Sequence, residues 1–448
     1  MLRIYQLCLG LVVFIMAGCT TYGVIDNPPK KTIDYDGYSW HSWAKVDHKD
    51  DITLILSFSG GGTRAAALSY GVLDGLRNTS VPIDGKMVRL LDEVDYITSV
   101  SGGSFTAAYY GLYGDAIFED FEEAFLLRNI EQYLFWGLLN PLEWFKKGGR
   151  TEMAIDYYDD VIFHNATFAD MRKNGPFIII NASELGHGIR FSFIQEYFSL
   201  FCSDLSNFPV SKAVAASSAV PIVFLPVVLE KYPDCGSTEP EWLNTVKKEA
   251  EHAPVLNETV TGIEFLMKQD AGRYMHLVDG GITDNLGLHA MIDMIALGGG
   301  AKKTLHKLGK KIPKKVVIIS VNSSTAPRPE MAFSREEPSI GETISSMSDI
   351  QLHRYNTTTQ ELMKRSVERW SKELSTPERQ IQPYFINIGL KSISEPKLQT
   401  FFNKIPTSFA LSRETVDKLV TGGHNLLHKD PEYQRLVSDM GGKMGSEN

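Results

Sequence analysis

The 448-residue sequence predicts an α/β fold: a mainly parallel central sheet with helices on both faces, followed by a C-terminal mixed helical extension. Three observations predict it. Short apolar runs rich in β-branched residues recur without the polar alternation of a half-wetted sheet, so they read as strands buried on both faces. Longer helical patterns separate them. Glycine-rich turns follow three of the runs, at 60–62, 102–103 and 280–281. Composition agrees with a globular chain, with 43% hydrophobic and 22% charged residues. A formal net charge of −9 argues against a nucleic-acid binder, which would carry a basic face.

The chain opens on Arg3 and then a dozen apolar or small residues, Leu7 to Gly18, ahead of Cys19. That is the layout of a secretory signal, too short for a membrane span of roughly 20 residues. Met16-Ala17-Gly18-Cys19 resembles the bacterial lipobox, in which cleavage exposes the cysteine for lipid attachment. An ordinary signal with a chance cysteine is the alternative. The resemblance implies a protein lipid-anchored at Cys19 in the bacterial cell envelope. Thr20, in place of the aspartate that retains many such proteins in the inner membrane, implies the outer membrane, facing the periplasm. Once residues 1–18 are removed, Cys202 and Cys235 are the remaining thiols, and an oxidising compartment favours their pairing over two separate thiols.

Residues 19–50 are polar and turn-rich, with Asn27-Pro28-Pro29, and read as a tether. The body, 51–325, holds expected strands at Ile52–Phe58, Val94–Thr98, Phe177–Asn181, Met275–Val278 and Lys315–Val321. Lys231 to Tyr274 reads as a polar insertion with one helix. Residues 326–448 form an extension with a long helical pattern around Ile344, Met347, Ile350 and Leu362. A strand at Tyr384–Gly389 and a helix near Val416–Leu427 follow, and the extension is expected to pack on the same domain.

Three turns carry chemistry. Ser59-Gly60-Gly61-Gly62-Thr63-Arg64 runs from a strand into a helix, so its N–H groups can converge on an oxyanion beside a helix N-terminus. The spacing fits neither a phosphate loop nor a dinucleotide fingerprint. Ser99-Val100-Ser101-Gly102-Gly103 sets a serine at the tip of a strand-to-helix turn, where small neighbours leave its hydroxyl exposed; Gly103 fits the second glycine of G-x-S-x-G and Ser99 replaces the first. Asp279-Gly280-Gly281 places a carboxylate at a strand end, on the edge where α/β sites collect.

In this order the three resemble the patatin-like phospholipase family, with Gly62 39 positions before Ser101. Ala215-Ala216-Ser217-Ser218-Ala219-Val220-Pro221 resembles a further block of that family, and the likeness spans roughly 52–325. Ala65 stands where the family often has glycine. The resemblance implies a lipid acyl hydrolase of phospholipase A or lysophospholipase type. Ser101 is then its nucleophile and Asp279 its base, with oxyanion donors at Gly60, Gly61 and Gly62. Gly103, Gly280 and Gly281 support the turns, and Arg64 braces the loop or faces an anionic head group.

Two alternatives stay open. One is an esterase triad completed by a histidine, with His276 and His289 nearest the aspartate. The other is a non-catalytic lipid-binding or envelope-organising lipoprotein of the same fold. No His/Cys cluster has metal-ligand spacing, so hydrolysis without metal or cofactor is expected on a phospholipid or lysophospholipid substrate. Aromatic residues in Phe118–Phe145 and Phe191–Phe201 read as either core or an acyl-chain lip.

Overall fold

Apolar runs become strands here because nearly every one of their side chains is covered. The computed structural model describes residues 22–32, 35, 37–45, 51–139, 149–221, 223–233, 235, 241–268, 270, 272–325 and 335–445. The signal segment and Cys19 lie outside them. The strands are β1 (Ile52–Phe58), β2 (Thr79–Ile83), β3 (Lys86–Arg89), β4 (Val94–Val100), β5 (Phe177–Glu184), β6 (Ile189–Ser192), β7 (Val227–Glu230), β8 (Tyr274–Asp279), β9 (Lys315–Asn322), β10 (Gln382–Gly389) and β11 (Lys443–Met444). β10, β9, β1, β4 and β5 lie side by side in parallel. β8 and then β7 extend the β5 edge antiparallel, and β6 also pairs with β5. β11, β2 and β3 form a small separate sheet.

All eight residues of β5 are buried, which is why this strand reads as a continuous apolar run. Neighbouring residues of β1 meet opposite layers, as a period of two requires. Ser57 donates its hydroxyl to the Leu286 carbonyl, while Phe58 packs beneath Gly103. Six helices bear on the site: α1 (Gly62–Arg77), α2 (Gly102–Tyr113), α3 (Val210–Ser217), α4 (Leu288–Leu297), α5 (Ile340–Leu374) and α6 (Arg413–Lys429). α1 and α2 start directly after β1 and β4. α6 lies against α1 so closely that a β-carbon on Gly71 would sit 2.0 Å from the Val420 carbonyl oxygen. α5 covers β9 and β10 and touches α4. Thus the described part of 326–448 shares the sheet and core of the preceding residues. Among the described residues no helix is long and apolar enough to cross a membrane.

Two stretches differ from the sequence expectation. The insertion holds two helices, Glu241–Ala250 and Pro254–Met267, closed on their own small cluster of Leu243, Val246, Ala250, Val260 and Ile263. The disulfide Cys202–Cys235, with Cα atoms 5.4 Å apart, ties its start to the body. The tether is no free spacer: residues 22–32 form a strap, along β7 at residues 23–27 and against 202–204 at residues 28–30. Buried Asn27 accepts from the Glu230 N–H at 2.9 Å and donates to the Glu230 carbonyl at 2.9 Å and to Ser203 Oγ at 3.0 Å. Lys212 pairs with Asp26 and donates to the Val24 carbonyl, and the Lys30 N–H donates to Cys202 O. Further on, Trp40 and Trp43 are buried against Tyr96 and Phe177. The Asn-Pro-Pro signature does not become a turn: the segment runs through without one, and Pro29 bridges antiparallel to Ser203.

Asn27→Ala leaves buried donors and acceptors unmatched at β7. It should lower stability by about 2–4 kcal/mol, read as an earlier midpoint in urea unfolding. The aromatic segments are mostly core: Phe121 and Phe125 are fully buried, Phe105 stacks on Phe125, and Phe191, Phe193 and Phe198 cluster under the sheet's β6 end. Tyr133 is exposed. Trp144 and Phe145, with the side chains of Trp136, Leu138 and Leu139, lie outside the described residues.

Candidate active site

β4 ends at Val100 and α2 begins at Gly102, leaving Ser101 alone on the bend with φ 51° and ψ −124°. Such a backbone costs a non-glycine residue on the order of 1–3 kcal/mol and persists only where its surroundings hold it. Here the Ser101 N–H donates to Ser217 Oγ at 2.8 Å, and Ser217 in turn donates to the Asn181 carbonyl at 2.6 Å. Asn181 reaches back to Thr98 Oγ1 at 2.9 Å and to the Ser99 carbonyl at 3.1 Å. Behind Asn181 stands Arg190, paired with buried Asp293 at 2.7 Å. The bend is thus pinned by Ser217 and Asn181, and Arg190 backs Asn181.

Its small neighbours follow from contact. A β-carbon on Gly102 would lie 2.0 Å from the Gly62 carbonyl oxygen, and one on Gly103 2.7 Å from the Ser59 carbonyl oxygen. Ser99 does fit in place of glycine: its hydroxyl lies between Ser104 Oγ at 3.1 Å and the Ile179 carbonyl at 3.3 Å.

Ser101 donates its hydroxyl to Asp279 Oδ2 at 2.8 Å across 178 residues of sequence. The other carboxylate oxygen accepts the Gly281 N–H at 2.7 Å, which fixes the ring of contacts around Asp279. Both groups are buried. Burial pushes the Asp279 carboxyl up to about 6, against the opposing pull of the Gly281 and Ser101 hydrogen bonds. The Asp279 and Gly280 N–H groups donate to Ala219 O and Ser217 O, so α3 sets the position of the aspartate as well as of the serine. A β-carbon on Gly280 would meet Asn181 O at 2.4 Å.

The glycine loop divides unevenly. Gly60, expected among the oxyanion donors, instead gives its N–H to the Asn285 carbonyl at 3.0 Å, and Thr63 gives its own to Ser408 O. Gly61 (φ 142°) and Gly62 (φ 60°) keep N–H groups without an acceptor among the described residues. Those angles are glycine territory. Arg64 is buried and donates to Ser323 O at 2.9 Å, Ile405 O at 2.6 Å and Thr407 Oγ1 at 3.1 Å. Of its two expected roles, these contacts give it the bracing one. Ser323 completes the brace by donating to Gly60 O at 2.7 Å.

Neither histidine near the aspartate reaches it. The His289 ring lies 3.2 Å from Thr359 Oγ1 and 3.1 Å from the Tyr355 hydroxyl, both on α5, and His276 is exposed on β8. Asn181 ended an expected strand, but no role was legible for it in the sequence, nor for Asn285 or Ser323. Ser217 lay within a recognised block, without a role. Among the described residues no group of three or more His, Cys, Asp or Glu could hold a metal ion.

Sheet and site together define an α/β protein with a mainly parallel sheet and a strand-turn-helix bend whose serine is hydrogen-bonded to an aspartate on the same sheet edge. The chain belongs to the patatin-like phospholipase family, whose profile matches residues 56–292. No curated protein matches the sequence. Among solved structures the chain is similar to human GIVD cytosolic phospholipase A2, at 11% identity and a TM-score of 0.43, over 94% of this chain and 66% of that one. It is also similar to the same enzyme in complex with methyl gamma-linolenyl fluorophosphonate, at 12% identity and a TM-score of 0.39, over 89% of this chain and 61% of that one. The chain therefore spans under two thirds of the length of these structures.

Proposed function

We propose that this protein hydrolyses the acyl esters of phospholipids or lysophospholipids with a Ser101–Asp279 dyad, while lipid-anchored through Cys19 in the cell envelope, at the outer membrane facing the periplasm. The observation that carries the reading is the 2.8 Å hydrogen bond from Ser101 to a buried carboxylate. Asp279, pushed up to about 6, remains ionised at neutral pH yet is a stronger base than an ordinary carboxylate. It takes the Ser101 proton as Oγ attacks the ester carbonyl carbon. The carbonyl oxygen becomes an oxyanion that the Gly61 and Gly62 N–H groups can receive. Each such donor is worth about 2.7–4 kcal/mol in the barrier.

When the tetrahedral species collapses, the C–O bond to the glycerol side breaks, and the departing oxygen recovers the proton from Asp279. A water molecule then repeats the sequence on the acyl-serine, with Asp279 again as base, and releases the fatty acid. Membership of the patatin-like phospholipase family supports the choice of acyl ester, and the lipobox supports the location.

The test is covalent labelling of the full chain by an alkyl fluorophosphonate, read by intact mass and peptide mapping. One adduct on Ser101, with loss of ester hydrolysis in step with labelling, is expected. A folded chain that stays unlabelled would favour a purely lipid-binding role. The same mass measurement reads whether the chain begins at an acylated Cys19.

A further inference from the structure

The strap on β7 has a direction. Gly23 packs on Val228 and Asn27 bonds to Glu230, so the strap runs with β7 from residue 228 toward 230. β7 pairs antiparallel with β8, with Val227 opposite Leu277 and Glu230 opposite Tyr274. The Val227 end is therefore the end at which β8 delivers Asp279. Chain entering the strap comes in at the sheet edge that carries the dyad. Cys19 precedes Tyr22 by three residues, which span at most ~11 Å fully extended.

That edge is apolar where it meets solvent. Tyr22 is 80% exposed, Val223 50% and Ile282 52%, and Val220 and Leu225 are exposed as well. Val220 follows the residue whose carbonyl accepts the Asp279 N–H, and Ile282 follows the Asp-Gly-Gly turn itself. Three of the five lie in the loop between α3 and β7, the strand on which the strap is laid.

We infer that this edge is the surface that rests on a phospholipid bilayer: the strap holds the anchored end of the chain beside the 219–225 loop, so that the Ser101 site faces the lipid head-group region. The inference rests on the lipid-anchored hydrolase reading and adds to it an orientation. The occupant is a bilayer rather than another protein because the chain's own anchor point enters at this edge, a few residues from the patch. With a formal net charge of −9, the chain as a whole is not drawn to an anionic bilayer by its charge.

The test uses the full lipid-modified chain reconstituted into phosphatidylcholine–phosphatidylglycerol vesicles that contain a nitroxide-labelled lipid. With Cys19 acylated and Cys202 bonded to Cys235, a cysteine introduced by Val223→Cys, Leu225→Cys or Glu378→Cys is the one free thiol for an NBD label. Glu378 is exposed just ahead of β10, at the opposite edge and opposite end of the sheet. Labels at 223 and 225 should lose at least half their fluorescence to the nitroxide, and the label at 378 almost none. Equal quenching at all three positions, or none at 223 and 225, overturns the inference. Shielding of 223 from a soluble quencher without nitroxide quenching also overturns it, and assigns the patch to a protein partner or a second copy. Hydrolysis of a water-soluble ester by unlabelled protein is read in parallel. Activity without quenching removes the orientation alone, whereas quenching without activity or fluorophosphonate adduct removes the hydrolase reading alone.

Discussion

Asp279→Asn should lower kcat about 10⁴-fold or more and at the same time make the protein more stable at neutral pH. An asparagine keeps both contacts, accepting from the Gly281 N–H and donating to Ser101 Oγ. The serine therefore stays in place but has nothing to take its proton. The stability gain follows from the carboxyl's displacement. Burial raises it to about 6 from an ordinary 3.8, so the folded state favours the protonated acid. That favourable contribution is fully present below the unfolded value and is lost as pH rises through about 6. Above that pH the wild type holds a buried carboxylate whose two hydrogen bonds only partly offset its desolvation, and the asparagine variant does not. The variant should be the more stable by ~1–3 kcal/mol at pH 8, with the difference vanishing below pH ~4. Urea unfolding at the two pH values measures it. Wild-type kcat/KM should rise through about pH 6 to a plateau, falling tenfold per unit well below that. A flat profile down to pH 4, or activity surviving in the variant, would remove Asp279 from the role of base.

The parallel core was legible because a strand covered on both faces leaves an unbroken apolar run, as in Phe177–Asn181 and Lys315–Val321. The sheet's outer pieces were not. Val227–Glu230 and Ile189–Ser192 are four residues each, with part of their side chains wet, and carry too little periodicity to stand out. Ser101 and Asp279 were legible for a local reason: each sits where a strand stops and glycines follow. Ser217 and Asn181 had no local mark, because a buried serine or asparagine reads like any turn residue until the fold brings it within reach, 116 residues away in the case of Ser217 and Ser101. Likewise, nothing in Gly60-Gly61-Gly62 says which N–H stays free. Asn285, on another loop, decides that by occupying Gly60. The tether failed for the converse reason. Its turn residues were read as exposed, but Asn27 has backbone partners on β7 that no local pattern announces.

Gly102→Ala is the second large effect, and it separates position from chemistry. The substitution touches neither reacting group, and φ at 102 is one that alanine tolerates, since the glycine is not among the left-handed positions. What it meets is the Gly62 carbonyl oxygen, 2.0 Å from the new β-carbon, with Gly62 N and C within 2.7 Å. No real β-carbon approaches backbone so closely, so the elbow and the glycine loop must part by an ångström or more. Gly62 cannot absorb the shift alone. Its own face is closed by Ser408 O, and its neighbour Arg64 is held by Ser323, Ile405 and Thr407. The loop's free N–H groups then move away from Ser101. Loss of one oxyanion donor, or a misplacement of ~1 Å, lowers the rate by about 10²–10³-fold. The loss should fall on kcat, with KM changed less than about threefold, while overpacking lowers stability by ~1–3 kcal/mol. The Ser101–Asp279 hydrogen bond survives in this account, so the pH profile of the residual activity should keep its rise through about 6. Steady-state kinetics across pH on the purified variant reads all three. Wild-type kcat with only the stability loss would mean that Gly61 and Gly62 do not serve the oxyanion, and that the close contact between loop and elbow is packing alone.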